Sequence, residues 1–263
     1  MRRLNALVKR ILPPQGTIHL IGLRNYLLGE AEIRVLKYLV DPARDSIDIG
    51  CDRGAYAYFL KRLSRRVICF EPLPASADFL ESAFSGASNV SVCRCAVSNE
   101  DMKVTLWVPT DRKVMRLNSS MVGPSDKNCD KSWIPIQVLA KRLDSLVEHS
   151  VGFVKIDVEG HESEVLQGAE VLLRDSRPNL VIEIEKRHAG KEPREVFESI
   201  LRLDYRGWFL WRRTIHSIDQ FESGVHQQIE HLGDSTAYVN NFIFTPREFT
   251  GFPPHSWAMQ SGA

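Results

Sequence analysis

Two hydrophobic periods take turns along this chain. Short, mostly apolar runs at Ser46-Ile47-Asp48-Ile49, Val67-Ile68-Cys69-Phe70, residues 89–97, Phe153-Val154-Lys155-Ile156-Asp157-Val158 and Leu180-Val181-Ile182-Glu183-Ile184 predict strands. Between them apolar residues recur at helical spacing. Helices are expected at 31–39, ahead of Pro42, and through Tyr56, Phe59, Leu60 and Leu63. Others begin near Pro74, burying Phe79, Leu80, Ala83 and Phe84, and over 139–148. Two more carry Val165, Leu166, Ala169, Leu172 and Leu173, then Val196, Phe197, Ile200 and Leu201. Final strands fall at 208–211 and 241–244. This order predicts parallel βαβ units in an open α/β sheet, with a ligand at the carboxyl ends of the strands.

The alternation breaks between Val104 and Val138, where strand-like Val104-Thr105-Leu106-Trp107 and Ile134-Pro135-Ile136-Gln137-Val138 flank a long polar stretch. We read 104–138 as a substrate-facing insertion in a domain spanning 31–246, with a basic extension at 1–30 and a tail at 247–263. Composition is that of a soluble globular domain: 43% hydrophobic and 25% charged residues, net charge +1. The charge balance argues against a nucleic-acid partner. Arg2, Arg3, Lys9, Arg10 and Arg24 precede the first acid, so residues 1–12 suit either weak contact with an anionic membrane surface or a terminal helix packed on the domain. Lys9 and Arg10 break the apolar run a signal peptide needs, and no stretch reaches the roughly 20 residues of a membrane span. Cys51, Cys69, Cys93, Cys95 and Cys129 form no paired motif, which points to reduced thiols in a cytoplasmic protein.

The first strand runs into Asp48-Ile49-Gly50-Cys51-Asp52-Arg53-Gly54. Glycines there permit a sharp turn and close approach to a ligand. A dinucleotide loop needs a third glycine and no acids near the pyrophosphate; Asp48 and Asp52 suit instead the ammonium and sulfonium of S-adenosylmethionine. Glu71 ends the second strand, placed to accept from both ribose hydroxyls or to cap the next helix. The third strand ends in Cys95-Ala96-Val97-Ser98-Asn99, where an adenine edge belongs; Ser98 and Asn99 suit a bond to the base, although turn chemistry also accounts for both. Lys155, Asp157 and Glu159 alternate with apolar residues in a central strand, a costly arrangement unless the charges are paired or form a site.

These residues resemble the FkbM-type methyltransferases. The likeness rests on Asp48-Ile49-Gly50 with Gly54, Phe70-Glu71-Pro72, Ala96-Val97-Ser98 and Leu143-Asp144-Ser145-Leu146. It continues through Lys155-Ile156-Asp157-Val158-Glu159-Gly160-His161-Glu162, Val165-Leu166-Gln167-Gly168-Ala169 and Asn240-Asn241-Phe242-Ile243-Phe244. Where the family commonly has Gly-Ala-Asn, this chain has Gly50-Cys51-Asp52. The resemblance implies a class I methyltransferase fold: a Rossmann-like sandwich around seven mostly parallel strands, the last antiparallel. It also implies O-methylation of a sugar, polyketide or other small metabolite, with S-adenosylmethionine as cofactor.

An aliphatic hydroxyl needs help losing its proton. Asp157 is the first candidate base, and it also adjoins the expected donor; His161 is the second. Asp157, Glu159 and Glu183 would be the ligands of a divalent cation, which the spacing does not demand. Trp107, Trp133, Trp208 and Trp211 suit a sugar pocket or the core, and Ser119-Ser120 suit acceptor contact or plain solvation. The competing classes are an NAD-type oxidoreductase and a non-catalytic adenosyl-ligand-binding protein on the same fold.

Overall fold

The computed structural model describes residues 12–109, 133–147, 150–189 and 192–252. Strand β1 (Asp45–Ile49) is buried along its whole length, as a central parallel strand must be when helices cover both faces. β2 (Val67–Phe70) and β3 (Val90–Cys93) pair in turn on one side of it, all parallel. The chain then leaves that edge. It returns on the other side of β1 as β7 (Val151–Ile156), followed by β8 (Asn179–Glu183), also parallel. The reversal between β2 and β7 makes β1 the topological switch point. β9 (Tyr205–Trp211) and β10 (Thr214–Ser217) form an edge hairpin, and β11 (Asn241–Pro246) inserts antiparallel between β8 and β9. The order β3-β2-β1-β7-β8-β11-β9 gives the expected seven strands with an antiparallel last one; β10 adds an eighth that its polar Thr-Ile-His-Ser sequence did not signal.

Side chains alternate across this sheet into two cores. Ile47, Ile49, Val154, Ile156, Leu180, Ile182, Phe242 and Phe244 point to one. Phe153, Val181, Trp208, Leu210 and Ile243 point to the other. Helices α1 (Pro14–Leu28), α2 (Leu36–Leu39), α3 (Ala55–Leu63) and α4 (Pro74–Ala83) help cover that second core. Trp208 is thus a core residue, and its ring meets Phe252 edge-on. Helix α1 enters this core through Ile18, while Gly22 lies on the ring of Tyr58 so closely that a Cβ would stand 2.3 Å from it. On the opposite side of α1, Leu20, Leu23 and Leu27 meet no cover among the described residues.

The break in the alternation is a second, small sheet. β5 (Met102–Pro109) and β6 (Trp133–Lys141) run antiparallel, and β4 (Ala96–Val97) joins β6 in parallel. Two expectations change here. The helix over 139–148 is instead the end of β6 followed by a 3₁₀ turn, Leu143–Ser145. Leu139, Leu143 and Leu146 have helical spacing, but Val138 and Ala140 are buried alternately against the facing β5, and that pairing decides. The single strand at 89–97 is split, because the chain leaves the large sheet after Cys93 and joins the small one at Ala96. Residues 1–11 and 110–132, with Ser119, Ser120 and the membrane-contact reading of 1–12 except its last residue, lie outside the described residues, as does Cys129.

Candidate active site

The first loop is tightened by the protein itself. Gly50 has φ 79°, and a Cβ there would stand 1.8 Å from the carbonyl oxygen of Asp157. The Asp157 N–H donates to the Ile49 carbonyl at 2.9 Å, so the ends of β1 and β7 are laced together. Cys51 is buried, its thiol donating to the Asp48 carbonyl at 2.9 Å, which suits a small apolar residue in the family's alanine position. Asp52, at φ 40°, occupies the left-handed region that Asn and Asp tolerate best. Gly54, at φ 72°, opens α3 where a side chain would meet Leu80 and Phe84.

Two carboxylates are held at this crevice by backbone donors. Asp48 accepts from the Ala57 N–H at 3.0 Å, and burial pushes its carboxyl up to about 7 against the opposing pull of Lys155. Glu71 accepts from Asp52 N–H at 2.8 Å and Leu73 N–H at 2.9 Å, and burial again pushes it up to about 7. Its position is therefore set by both the first loop and the turn that follows β2.

The third corner joins the β4 end to helix α5 (Glu162–Gln167), while Ala96 lies buried in β4 itself. Ser98 Oγ lies 2.9 Å from His161 Nε2, and Asn99 Nδ2 donates to Gln167 Oε1 at 3.0 Å. Gly168 ends α5 against Ser98, where a Cβ would fall 1.9 Å from the Ser98 carbonyl oxygen. That contact gives the glycine of Val165-Leu166-Gln167-Gly168-Ala169 a physical reason. Burial pushes the His161 imidazole down despite Glu164, so the ring is neutral at pH 7.

The strand register gathers the remaining groups. Asp48 lies beside Lys155, and Glu183 beside Asn241, on the face covered by α1 to α3. Lys155 is 1% exposed; its ammonium donates to Asn241 Oδ1 at 3.0 Å, lies 3.6 Å from Asp157 Oδ2 and sits over the Tyr56 ring. Burial alone would favour the neutral amine, but Asp157, Glu30, Glu183 and Asp48 hold it charged. Glu30 accepts from the Tyr56 hydroxyl at 2.6 Å and from Asn241 Nδ2 at 3.0 Å. Next to it, burial and the Glu30 charge push Glu32 up to about 8.

Past β7 the chain turns through Glu159 at φ 53° and Gly160 at φ 99°, and the Gly160 N–H donates to buried Glu162 at 2.8 Å. This turn brings carboxylate oxygens of Asp157, Glu159 and Glu183 within 4.8 Å of one another. Oxygen donors in that number fit a divalent cation, though Lys155 already supplies a cation beside two of them. Burial, with Asp157 next, raises Glu183 well above the usual carboxylate range. The predicted residues on β1, β2, β7 and β8 thus converge, while Ser98 and His161 meet at a corner of their own past the β4 end. Sequence reasoning missed Glu30, Glu32 and Tyr56, and gave Asn241 no role. Trp107, Trp133 and Trp211 are half-buried on strands, and Trp211 donates to the Ala237 carbonyl.

Residues 48–207 match the family model of the methyltransferase FkbM domain. The chain belongs to the FkbM methyltransferase family. Two curated relatives are 2-O-methyltransferase NoeI of Sinorhizobium fredii, 25% identical over 55% of this chain and 65% of its own length, and Methyltransferase 1 of Beauveria bassiana, 26% identical over 52% and 63%. The chain thus spans less than two thirds of the length of either. A solved structure, methyltransferase FkbM from Methylobacillus flagellatus, is similar in fold: TM-score 0.51 at 17% identity, covering 78% of this chain and 44% of that one. The fold is that of class I methyltransferases. Glu30 and Asn241 both lie outside the matched family segment while contributing to its site.

Proposed function

We propose that this chain is an S-adenosylmethionine-dependent O-methyltransferase acting on a hydroxyl of a small molecule, a sugar or glycan or a polyketide-type metabolite. The observation that carries the reading is the excess of carboxylates at the switch point. Asp48, Asp157, Glu183 and Glu30 surround the buried ammonium of Lys155, and Glu71 adds a further carboxylate at the end of β2. Such a site suits a ligand with an ammonium and a sulfonium and disfavours a pyrophosphate. The Glu71 carboxylate, held by two N–H groups, retains lone pairs for ribose hydroxyls. The name of the Sinorhizobium relative supports oxygen as the accepting atom.

When bound, the donor supplies an electrophilic methyl carbon. The chain's own part is to align the acceptor oxygen and to take its proton. Asp157 suits the proton transfer, because its side chain is 26% exposed where its partner Lys155 is 1% exposed, and it is the member of the pair that a hydroxyl can reach. Lys155, 3.6 Å from its Oδ2 and itself bonded to Asn241, orients it. His161, neutral and engaged with Ser98, is assigned to hold the loop after β4, with proton transfer its second role.

Calorimetric titration with S-adenosylmethionine, S-adenosylhomocysteine and NADH, on the wild type and Glu71→Ala, tests this. Adenosyl-ligand binding that weakens in the variant supports the reading. A preference for NADH would return the oxidoreductase, and adenosyl binding without turnover of any hydroxyl acceptor would favour a non-catalytic binding protein.

A further inference from the structure

Helix α1 carries apolar residues on all sides, yet among the described residues only one side is packed. Ile18 and Gly22 are buried toward the domain; on the other side Leu20, Leu23 and Leu27, at helical spacing, are 43%, 56% and 58% exposed, and the adjoining Leu28 is 79% exposed. A helix with this composition ordinarily has both faces covered. Its C-terminal end borders a surface cavity of about 200 Å³ lined by Leu27, Leu28, Arg34, Leu210 and Arg213 among others. Arg34 reaches the carbonyls of Tyr26 and Leu27, so a guanidinium stands at the edge of the leucine stripe.

The rim is basic in a way the backbone does not favour. The β9–β10 hairpin turns through Arg212 and Arg213 at φ 48° and 65°, a tight turn that Asn-Gly fills most easily. Both side chains are exposed. Arg24 lies on the stripe itself, and the sequence ahead of α1 adds Arg2, Arg3, Lys9 and Arg10 with no acid before Glu30, in a chain whose net charge is only +1.

We propose that this face docks on an anionic lipid surface, with Leu20, Leu23, Leu27 and Leu28 entering the acyl boundary and Arg24 and Arg213 meeting the headgroups. An apolar stripe alone would serve a second copy of the chain equally well. The concentration of positive charge around it selects a negatively charged plane, since two like-charged faces repel. Docking would also turn the carboxyl edge of the sheet toward the lipid. Leu210 and Arg213 lie at the carboxyl end of β9, on the same edge as Glu183, and Glu30 follows α1 directly into the Lys155 cluster.

The test is flotation of the full chain with phosphatidylcholine vesicles and with phosphatidylcholine–phosphatidylglycerol vesicles, at low and high salt. Wild type should float with the anionic vesicles only, and less at high salt. Leu23→Ser/Leu27→Ser should reduce retention at least about tenfold, and Arg24→Gln/Arg213→Gln should reduce it and flatten the salt dependence. All four side chains are exposed, so thermal midpoints of both variants should match wild type and report a folded chain. Absence of flotation, equal retention by the variants, or a wild-type dimer in sedimentation that Leu23→Ser/Leu27→Ser abolishes would each overturn the proposal.

Discussion

Replacing Lys155 by methionine keeps an unbranched side chain, one atom shorter, and removes its charge from a place that water does not reach. The ammonium is 1% exposed and is the cation against which Asp157, Glu30, Glu183 and Asp48 are arranged. Breaking a buried pair from one side leaves the other charge uncompensated, at about 3–5 kcal/mol. Asp157 is 26% exposed and regains some water, which places the expected loss at the lower end, about 3 kcal/mol. For a chain of this size that is about 6–12 °C in midpoint. The pH dependence has a definite sign. Without the cation, the folded-state pKa values of Asp48 and Glu183, already raised by burial, rise further above their unfolded values. The folded variant then binds more protons than its unfolded chain across that interval, and its stability falls as pH rises through it. Lys155 itself stays charged over the same range. Thermal melts at pH 8 and pH 6 should therefore show a deficit that shrinks on acidification. Equal midpoints at pH 8, or a deficit that grows at pH 6, would refute the assignment of Lys155 as the neutralising centre.

Other outcomes follow from the same geometry. Asp48 and Glu71 titrate near 7 because they are buried, and a cationic donor favours their charged forms; S-adenosylmethionine should bind more tightly from pH 6 to pH 8 and release protons at pH 7. Calorimetry in buffers of different ionisation heat reads this, and zero proton release would contradict it. Gly168→Ala places a methyl group 1.9 Å from the Ser98 carbonyl oxygen, so a loss of about 1–3 kcal/mol or more is expected in denaturant melts, and a variant as stable as wild type would remove that contact from consideration. Turnover should survive EDTA, since Lys155 already offsets charge at Asp157; loss of activity restored by Mg²⁺ would assign Asp157, Glu159 and Glu183 to a metal.

The sheet was legible because parallel strands buried on both faces, such as Asn179–Glu183, read as apolar runs, while the helices between them keep their own period. The site strand was legible for the opposite reason: Lys155 and Asp157 interrupt such a run. What local pattern conceals is pairing. Val138 and Ala140 belong to a strand because Met102–Pro109 faces them, and no window centred on Leu139 contains that fact. Glu30 and Asn241 meet across 211 residues, so neither carries a local signal. Gly50 was readable as a glycine with a purpose and Gly168 only as part of the family likeness; in both, the space of a Cβ is taken by a carbonyl, of Asp157 and of Ser98.

The position of β11 bears on how the chain is made. It is the last of the described strands to leave the ribosome, yet it lies between β8 and β9, inside the sheet rather than at its margin. Until it arrives, β8 and β9 each present an unpaired inner edge, and β10 protects only the outer side of β9. Lys155 also waits for Asn241 to complete its surroundings. Closure of the sheet and maturation of the site are therefore one late event in biosynthesis, and a nascent chain stalled before Asn241 would carry both an open seam and an uncompleted charge cluster.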